Sequence, residues 1–182
     1  RFILISTAGV MGKKSELGFP IKLNHRPNPQ NDYTFSKLRG EEALISECQK
    51  SPMHYTILRP PLIYGQNAPG NWRKLVKLLN YNLPLPLRGI ENRRSFVSID
   101  NLVDLIIKCI QSKESSNKIF LVSDNEDIST SSLIDKIIEA SNNKNRMFHM
   151  DKDKLLLLAR ILGKHSTTEQ LFNNLQLDIT ET

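Results

Sequence analysis

"RFILISTAGVMG" (residues 1–12) is the stretch on which the fold turns. Residues 2–6 form a β run without the apolar–polar alternation of a half-exposed strand. Continuous apolarity marks a strand covered on both faces, which is the rule in parallel sheets. The run ends at "STAGVMG" (6–12), and a polar, proline-bearing loop follows over residues 13–32. From Tyr33 to about Gln49 the pattern becomes helical, with Leu38, Leu44, Ile45 and Cys48 recurring on one face. "HYTILRPPLIYG" (54–65) is then a second strand, running into a double-proline break. Strand, helix and strand in that order make a βαβ unit, whose crossover should be right-handed.

The alternation continues. "NWRKLVKLLNYN" (71–82) reads as an amphipathic helix closed by the extended "LPLPL" (83–87), and "RSFVSI" (94–99) as a strand. Asp100 is placed to cap the apolar helix "NLVDLIIKCIQS" (101–112). "KIFLVSD" (118–124) is another strand, and Ser129 or Thr130 can cap "SSLIDKIIEASN" (131–142). A short strand "RMFHM" (146–150) and a helix over 152–163 follow, while "LFNNLQLDITET" (171–182) shows no obvious final element. The expected fold class is α/β, a doubly wound parallel sheet with helices on both faces.

The 182 residues, 39% of them hydrophobic, suffice for one globular core. The longest apolar stretch, "LLLLARILG" (155–163), is too short and interrupted to span a bilayer, so no membrane partner is expected. Cys48 and Cys109 stand in separate helical patterns and read as core residues in a reducing cytoplasm. His25, His54, His149 and His165 show no metal-ligand spacing, and no metal is expected. The net charge of +6 raises nucleic acid as a partner, but the basic residues are scattered and no aromatics interleave with them. A groove for a small anionic ligand accounts for the charge equally well. "GKHST" (163–167) lacks the upstream glycine of a P-loop and has His165 between Lys and Ser, so it is not taken as a phosphate site. The chain begins at Arg1 inside a strand, and the expectation is that it is a piece of a longer protein.

"NDYTFSKLRGEE" (31–42) places Lys37 four positions after Tyr33, where loop gives way to helix. Residues four apart on a helix share a face, and an ammonium beside a phenol favours the phenolate. Such a phenol can donate or accept a proton near neutral pH. An exposed Tyr and an exposed Lys give the same pattern by chance, so the neighbours decide. In an open parallel sheet, ligands bind outside the carboxyl ends of the strands. There the order of elements places Ser6 and Thr7, the Tyr33–Lys37 helix start, "RPPLIYG" (59–65) and the arginines of "NRRSFVSIDN" (92–101). A hydroxyl, a phenol, an ammonium and a guanidinium at one edge are a far rarer coincidence than the pair alone. Singly, Thr7 could end a strand, Asn71 could cap the helix beginning at Trp72, and Arg94 could be a solvated charge.

The order "STAGVMG … DYTFSK … LRPPLIYG … GNW … NRRSFVSIDNLVD" resembles the extended short-chain dehydrogenase/reductase family. Within that family it is most similar to NAD-dependent nucleotide-sugar 4-epimerases acting on UDP-glucose or UDP-N-acetylglucosamine, from residue 2 to about 140. The resemblance implies a Rossmann-like sheet whose dinucleotide-binding domain ends with residues 1–65. Residues 66–182 would mainly form a small α/β nucleotide-sugar-binding part, interleaved through a strand that returns to the sheet. Tyr33 would be the catalytic base for a sugar hydroxyl, and Lys37 would support it while holding the nicotinamide ribose. Thr7 would hydrogen-bond the same sugar oxygen, which a hydroxyl can do in both alcohol and ketone states. Ser6, Pro60 and Pro61 would join Tyr33 and Lys37 around the cofactor. Thr7, Leu62, Asn71 and Arg94 would face the substrate, with Arg93 in place of Arg94 if the register shifts by one. The implied cofactor is NAD, with NADP as the alternative. The implied assembly is a cytoplasmic homodimer to which the Tyr33 helix contributes.

Two departures narrow the chemistry. Dehydratases of this family carry an Asp-Glu pair after the catalytic Thr, where this chain has Ala8 and Gly9. Dehydration is therefore disfavoured, and so is the decarboxylase branch, which needs a Glu. Leu62 replaces an Asn that many of the epimerases use, which brings the stretch nearer to 4-keto-sugar reductases. The family's glycine fingerprint, G-x-x-G-x-x-G, is not found in this chain. The expectation is that N-terminal βαβ units of the sheet lie outside it, and that the chain alone neither binds NAD tightly nor catalyses. Two rivals stay open: an NAD(P)H-dependent reductase of a UDP-4-keto-6-deoxy sugar, and a non-catalytic RNA-binding or assembly member of the fold.

Overall fold

The computed structural model describes residues 1–68, 70–141, 146–161, 163 and 165–182. Among the described residues every paired strand runs parallel to its neighbour, in keeping with strands that lack a strict apolar–polar alternation. Strand β1 (Phe2–Ile5) leads through a 3-10 turn (Ala8–Met11) and a long loop into helix α1 (Asp32–Gln49). Strand β2 (Tyr55–Arg59) returns beside β1, with Phe2 opposite Tyr55 and Ile5 opposite Leu58. Strand β3 (Leu62–Tyr64) and helix α2 (Asn71–Leu79) follow, then β4 (Leu85–Arg88), β5 (Phe96–Ser98) and α3 (Ile99–Gln111). The chain continues through β6 (Lys118–Leu121), α4 (Thr130–Ser141), β7 (Met147–His149), α5 (Lys152–Ile161) and α6 (His165–Gln170).

The main sheet has the order β1-β2-β6, so β6 returns to pair with β2 after the intervening excursion. β3 pairs with β5, and β4 pairs with β7, as separate two-stranded ribbons. "HYTILRPPLIYG" therefore holds two strands rather than one. Pro60 and Pro61 offer no N–H to continue the β2 ladder, and the chain resumes as β3 against β5.

Alternation along the strands directs successive residues to opposite faces. Leu58 and Phe120 join Ile3, Ile5, Leu102 and Cys109 in a cluster under α3. The next residue on β6, Leu121, faces the other way and packs with Ala8, Val10 and Met11, against which Leu38 of α1 lies. Helices thus cover both faces, and Cys48 and Cys109 are both buried and free. A third cluster, Leu79, Leu85, Leu87, Ile134, Met147 and Leu155, is the core beneath the β4–β7 ribbon. No described helix is long and apolar enough to cross a membrane.

At the start of α3 the cap differs from the expected one. Ser98, not Asp100, caps α3, its hydroxyl accepting the Asn101 N–H at 3.0 Å. The serine lies one residue before the helix with extended backbone, as a cap must, and Asp100 sits in the first turn. Ser129 accepts the Ser132 N–H at 2.9 Å ahead of α4. The final stretch is also more ordered than its sequence suggests. Leu175 donates to the Arg93 carbonyl at 2.8 Å and accepts from Ser95 N–H at 2.9 Å, while Gln176 O takes the Ile21 N–H at 2.8 Å. It forms an extended seam between β5 and the loop after β1, too short to show periodicity. Asn142, Leu162 and the Lys164 of "GKHST" lie outside the described residues.

Candidate active site

Asn31 caps α1 by accepting the Thr34 N–H at 2.9 Å, and Thr34 Oγ1 accepts the Asn31 N–H at 3.2 Å. This reciprocal box fixes the first helical turn, and that turn carries Tyr33. The Tyr33 side chain is open, 60% exposed. One turn later, Lys37 Nζ lies 5.9 Å from the Tyr33 ring centroid and donates to the Ile5 carbonyl at 3.0 Å. The lysine is thereby pinned between the phenol and the carboxyl end of β1. Thr7 leaves that strand end in extended backbone and caps the 3-10 turn, its Oγ1 accepting from Gly9 N–H at 3.1 Å. The Pro60 carbonyl receives the Ala8 N–H at 2.8 Å, which draws the end of β2 against the same turn. The structure thus brings Thr7, Tyr33, Lys37 and Pro60 to one sheet edge.

Gly9 is what lets the Thr7 turn approach α1. A Cβ there would stand 2.9 Å from Thr34 Cγ2 and 3.4 Å from Thr7 Oγ1. Neither Gly9 nor the fully buried Ala8 leaves room for a carboxylate, which is the steric side of their identity. Gly9→Ala is expected to destabilise the protein by about 1–3 kcal/mol through overpacking. Urea denaturation checks this, with wild-type stability as the contrary result.

Beneath these residues lies a group that sequence reasoning missed. Glu41 is 1% exposed, and it accepts from Arg59 Nε at 3.1 and 3.2 Å and from Arg59 Nη2 at 2.6 Å. The Ser6 hydroxyl donates to Glu41 Oε1, and Arg59 Nη1 stands 3.0 Å from Met11 Sδ. A signal existed: Glu41 falls inside the stripe Leu38–Ile45–Cys48, and an arginine ends the apolar β2 run. Ser6 needs correcting on this ground. It was expected among the cofactor contacts, but it is buried and its hydroxyl is directed at Glu41, leaving only its main chain for the site edge.

The remaining expected residues stand around this cluster rather than in it. Pro61 and Leu62 lead directly into β3, Leu62 pairing with Phe96. Asn71 is the exposed first residue of α2, and its cap is Gly70, not Asn71 itself. Arg93 is exposed and donates to the Asp127 carbonyl at 3.2 Å. Arg94 is not a solvated charge. Its Nη1 donates to the carbonyls of Gln170 at 2.9 Å and Asn173 at 3.0 Å, and burial pushes the guanidinium below its usual value.

Two cavities flank these elements. A polar cleft of about 350 Å³ is bounded by Met11, Gly12, Lys13, Lys14, Gln170 and Asn173, which sets it between the 3-10 turn and the segment Arg94 holds. A larger, mainly apolar cleft of about 980 Å³ lies between α2 and α4, walled by Tyr64, Trp72, Val76 and Leu133. Tyr64 donates to Asp124 at 2.8 Å, and burial followed by that carboxylate holds its phenol up at about 12. Tyr64 is thus a structural phenol, in contrast to the open Tyr33.

The profile of the NAD dependent epimerase/dehydratase family matches residues 1–123. A UDP-glucose 4-epimerase of Vibrio cholerae is 35% identical over 183 residues, covering 100% of this chain and 56% of that protein. The N-acetyl-alpha-D-glucosaminyl-diphospho-ditrans,octacis-undecaprenol 4-epimerase of Escherichia coli O157:H7 is 26% identical over 70% of this chain and 39% of its own length. The chain spans about half the length of these curated relatives. Among solved structures, a UDP-glucuronic acid 4-epimerase from Bacillus cereus in complex with NAD shares the fold. Its TM-score is 0.71 at 18% identity, over 100% of this chain and 53% of that one. A UDP-glucose 4-epimerase from Thermotoga maritima with UDP-glucose gives 0.70 at 18% identity, over 99% and 55%. The profile match and the Vibrio cholerae relative agree with the parallel sheet and its carboxyl-edge cluster: the chain belongs to the NAD dependent epimerase/dehydratase family.

Proposed function

We propose that this chain is the catalytic-edge portion of an NAD-dependent nucleotide-sugar 4-epimerase acting on a UDP-hexose or UDP-N-acetylhexosamine. The observation that carries the reading is the meeting of Thr7, Tyr33 and Lys37 at the carboxyl ends of parallel strands. The names of the two curated relatives favour epimerisation over reduction.

The residues present fit a nicotinamide cofactor at this edge. Tyr33 is open, Lys37 presents a pinned ammonium beside it, and the main chain at Pro60 and Pro61 closes the strand end. When bound, NAD supplies hydride acceptance and return at the sugar carbon. The chain's own residues manage the proton and the pose. The Tyr33 oxygen takes the proton of the C4 hydroxyl as that carbon is oxidised and gives it back when the ketone is reduced on the opposite face. Lys37 sets its ammonium beside the Tyr33 ring and is the residue to hold the ribose hydroxyls. The Thr7 hydroxyl keeps the C4 oxygen in place through both states, since it can donate or accept. Its alternative partner, the Gly9 N–H, takes an oxygen lone pair and leaves the Thr7 O–H able to donate. Arg94 acts from behind the polar cleft, and Asn71 from the start of α2, on the nucleotide's phosphates. Arginine suits that role by its charge and fork geometry. Leu62 lines the sugar's edge without a polar claim on it.

In this reading residues 1–65 complete a dinucleotide-binding sheet, and 66–182 mainly bind the nucleotide sugar. The polypeptide works in the cytoplasm as a homodimer through α1. The segment alone neither binds NAD tightly nor turns over, because its sequence lacks the G-x-x-G-x-x-G fingerprint that receives the cofactor pyrophosphate. Calorimetric detection of tight NAD binding to residues 1–182 contradicts that statement.

The test incubates the complete gene product with UDP-glucose and with UDP-N-acetylglucosamine, following anomeric protons by NMR and reduced-nicotinamide absorbance together. A galacto-configured product with no net cofactor turnover is expected. Steady NAD(P)H oxidation on a 4-keto-6-deoxy sugar, with no epimer from either substrate, overturns the epimerase assignment in favour of a reductase.

A further inference from the structure

Glu41 and Arg59 differ from the other described ion pairs in being buried, with side chains 1% and 5% exposed. A buried ion pair is a weak source of net stability, and apolar residues of similar volume often serve as well. Its place in the fold suggests a different task. Glu41 lies on α1, so at the helical rise it sits roughly 6 Å along the axis from Lys37 and roughly 12 Å from Tyr33. Its carboxylate is bonded to Ser6, which precedes Thr7, and to Arg59, which precedes Pro60. Arg59 also reaches Met11 in the 3-10 turn, and Lys37 reaches back to Ile5, next to Ser6. Every element that carries a residue of the Thr7–Tyr33–Lys37 cluster is therefore tied to one carboxylate.

We propose that Glu41, Arg59 and Ser6 form a positioning clamp that fixes α1 against the carboxyl edge, so that the Tyr33 phenol and the Thr7 hydroxyl converge on one substrate oxygen. The proposal rests on the catalytic reading of Tyr33, Lys37 and Thr7 given above. Apolar contacts are non-directional and leave a helix free to slide or turn slightly. The guanidinium fork fixes direction as well as distance. The requirement is strict, because a displacement of about 1 Å at a reacting group can cost on the order of 100-fold in rate.

Glu41→Gln, Arg59→Lys and Ser6→Ala in the complete gene product test the clamp, each measured well below its own unfolding midpoint. Glu41→Gln and Arg59→Lys are expected to lower kcat about 10- to 100-fold, with KM for the nucleotide sugar within about two-fold of wild type. Ser6→Ala is expected to lower kcat by roughly three-fold, the size of one modest hydrogen bond. A purely structural pair shifts the unfolding midpoint and leaves kcat of the folded protein alone, and that result overturns the clamp. A raised KM with unchanged kcat overturns it too. If the two charge-pair variants do not fold, Ser6→Ala decides by the same kcat criterion. Tyr33→Phe run alongside separates the claims. Full activity in Tyr33→Phe removes the catalytic reading, whereas an inactive Tyr33→Phe beside a wild-type-like Glu41→Gln removes the clamp alone.

Discussion

Tyr33→Phe is expected to reduce turnover of the complete gene product by a factor of about 10² to 10⁴, the usual contribution of a positioned acid or base. The substitution deletes one oxygen and nothing else. The ring stands 60% exposed at the first turn of α1, where the Asn31–Thr34 box, not the phenol, holds the helix. The unfolding midpoint should therefore stay where it is, and binding of the nucleotide sugar should change little. Loss of kcat with unchanged stability is the signature of a proton-transfer group, read by steady-state kinetics and a thermal melt on the same sample. An active Tyr33→Phe enzyme means that the Tyr33–Lys37 spacing is the coincidence its shortness allows, and the non-catalytic rival then gains ground.

Glu41→Ala acts on stability instead. Removing one partner of a buried pair leaves the other charge uncompensated, which costs about 3–5 kcal/mol. Arg59 is 4% exposed, and the acceptors described for its Nε and Nη2 are the Glu41 oxygens. Against a total stability on the order of 5–15 kcal/mol, such a loss takes a large share. The double variant Glu41→Leu with Arg59→Met is expected to recover most of it, since a matched apolar pair replaces both charges. Urea denaturation of the single and double variants settles the matter. A Glu41→Ala protein within about 1 kcal/mol of wild type contradicts the description of the pair as buried and mutually dependent.

The parallel α/β fold was legible because its signal is repeated. Each strand of the main sheet carries consecutive apolar residues without strict alternation (Phe2–Ile5, Ile57–Leu58, Ile119–Leu121), and the helices between them keep their periodicity, so β1, α1, β2, α3 and β6 fall close to where the pattern puts them. The Tyr33–Lys37 pair was legible because helical spacing alone brings such residues to one face. What the pattern concealed depends on contacts distant in sequence. Glu41 looks like an interruption of an apolar stripe until Arg59 and Ser6 are folded against it. The two strands in "HYTILRPPLIYG" look like one because proline marks a break without saying that the next strand joins a different ribbon. Arg94 reads as a free cation for a phosphate, or singly as a solvated charge, because the carbonyls it serves lie nearly eighty residues on, at Gln170 and Asn173. Ser98 was overlooked as a cap because it also ends a strand, and Asp100 is the more familiar helix-start residue.

One measurement bears most directly on the central claim that the C4 hydrogen leaves and returns as a hydride while Tyr33 handles the proton. UDP-glucose and UDP-N-acetylglucosamine, each deuterated at C4, are incubated with the complete gene product in ordinary water, and the product is read by NMR. The account predicts a galacto-configured product that keeps its deuterium at C4. A product carrying ordinary hydrogen at C4, or no epimer from either labelled substrate, contradicts it.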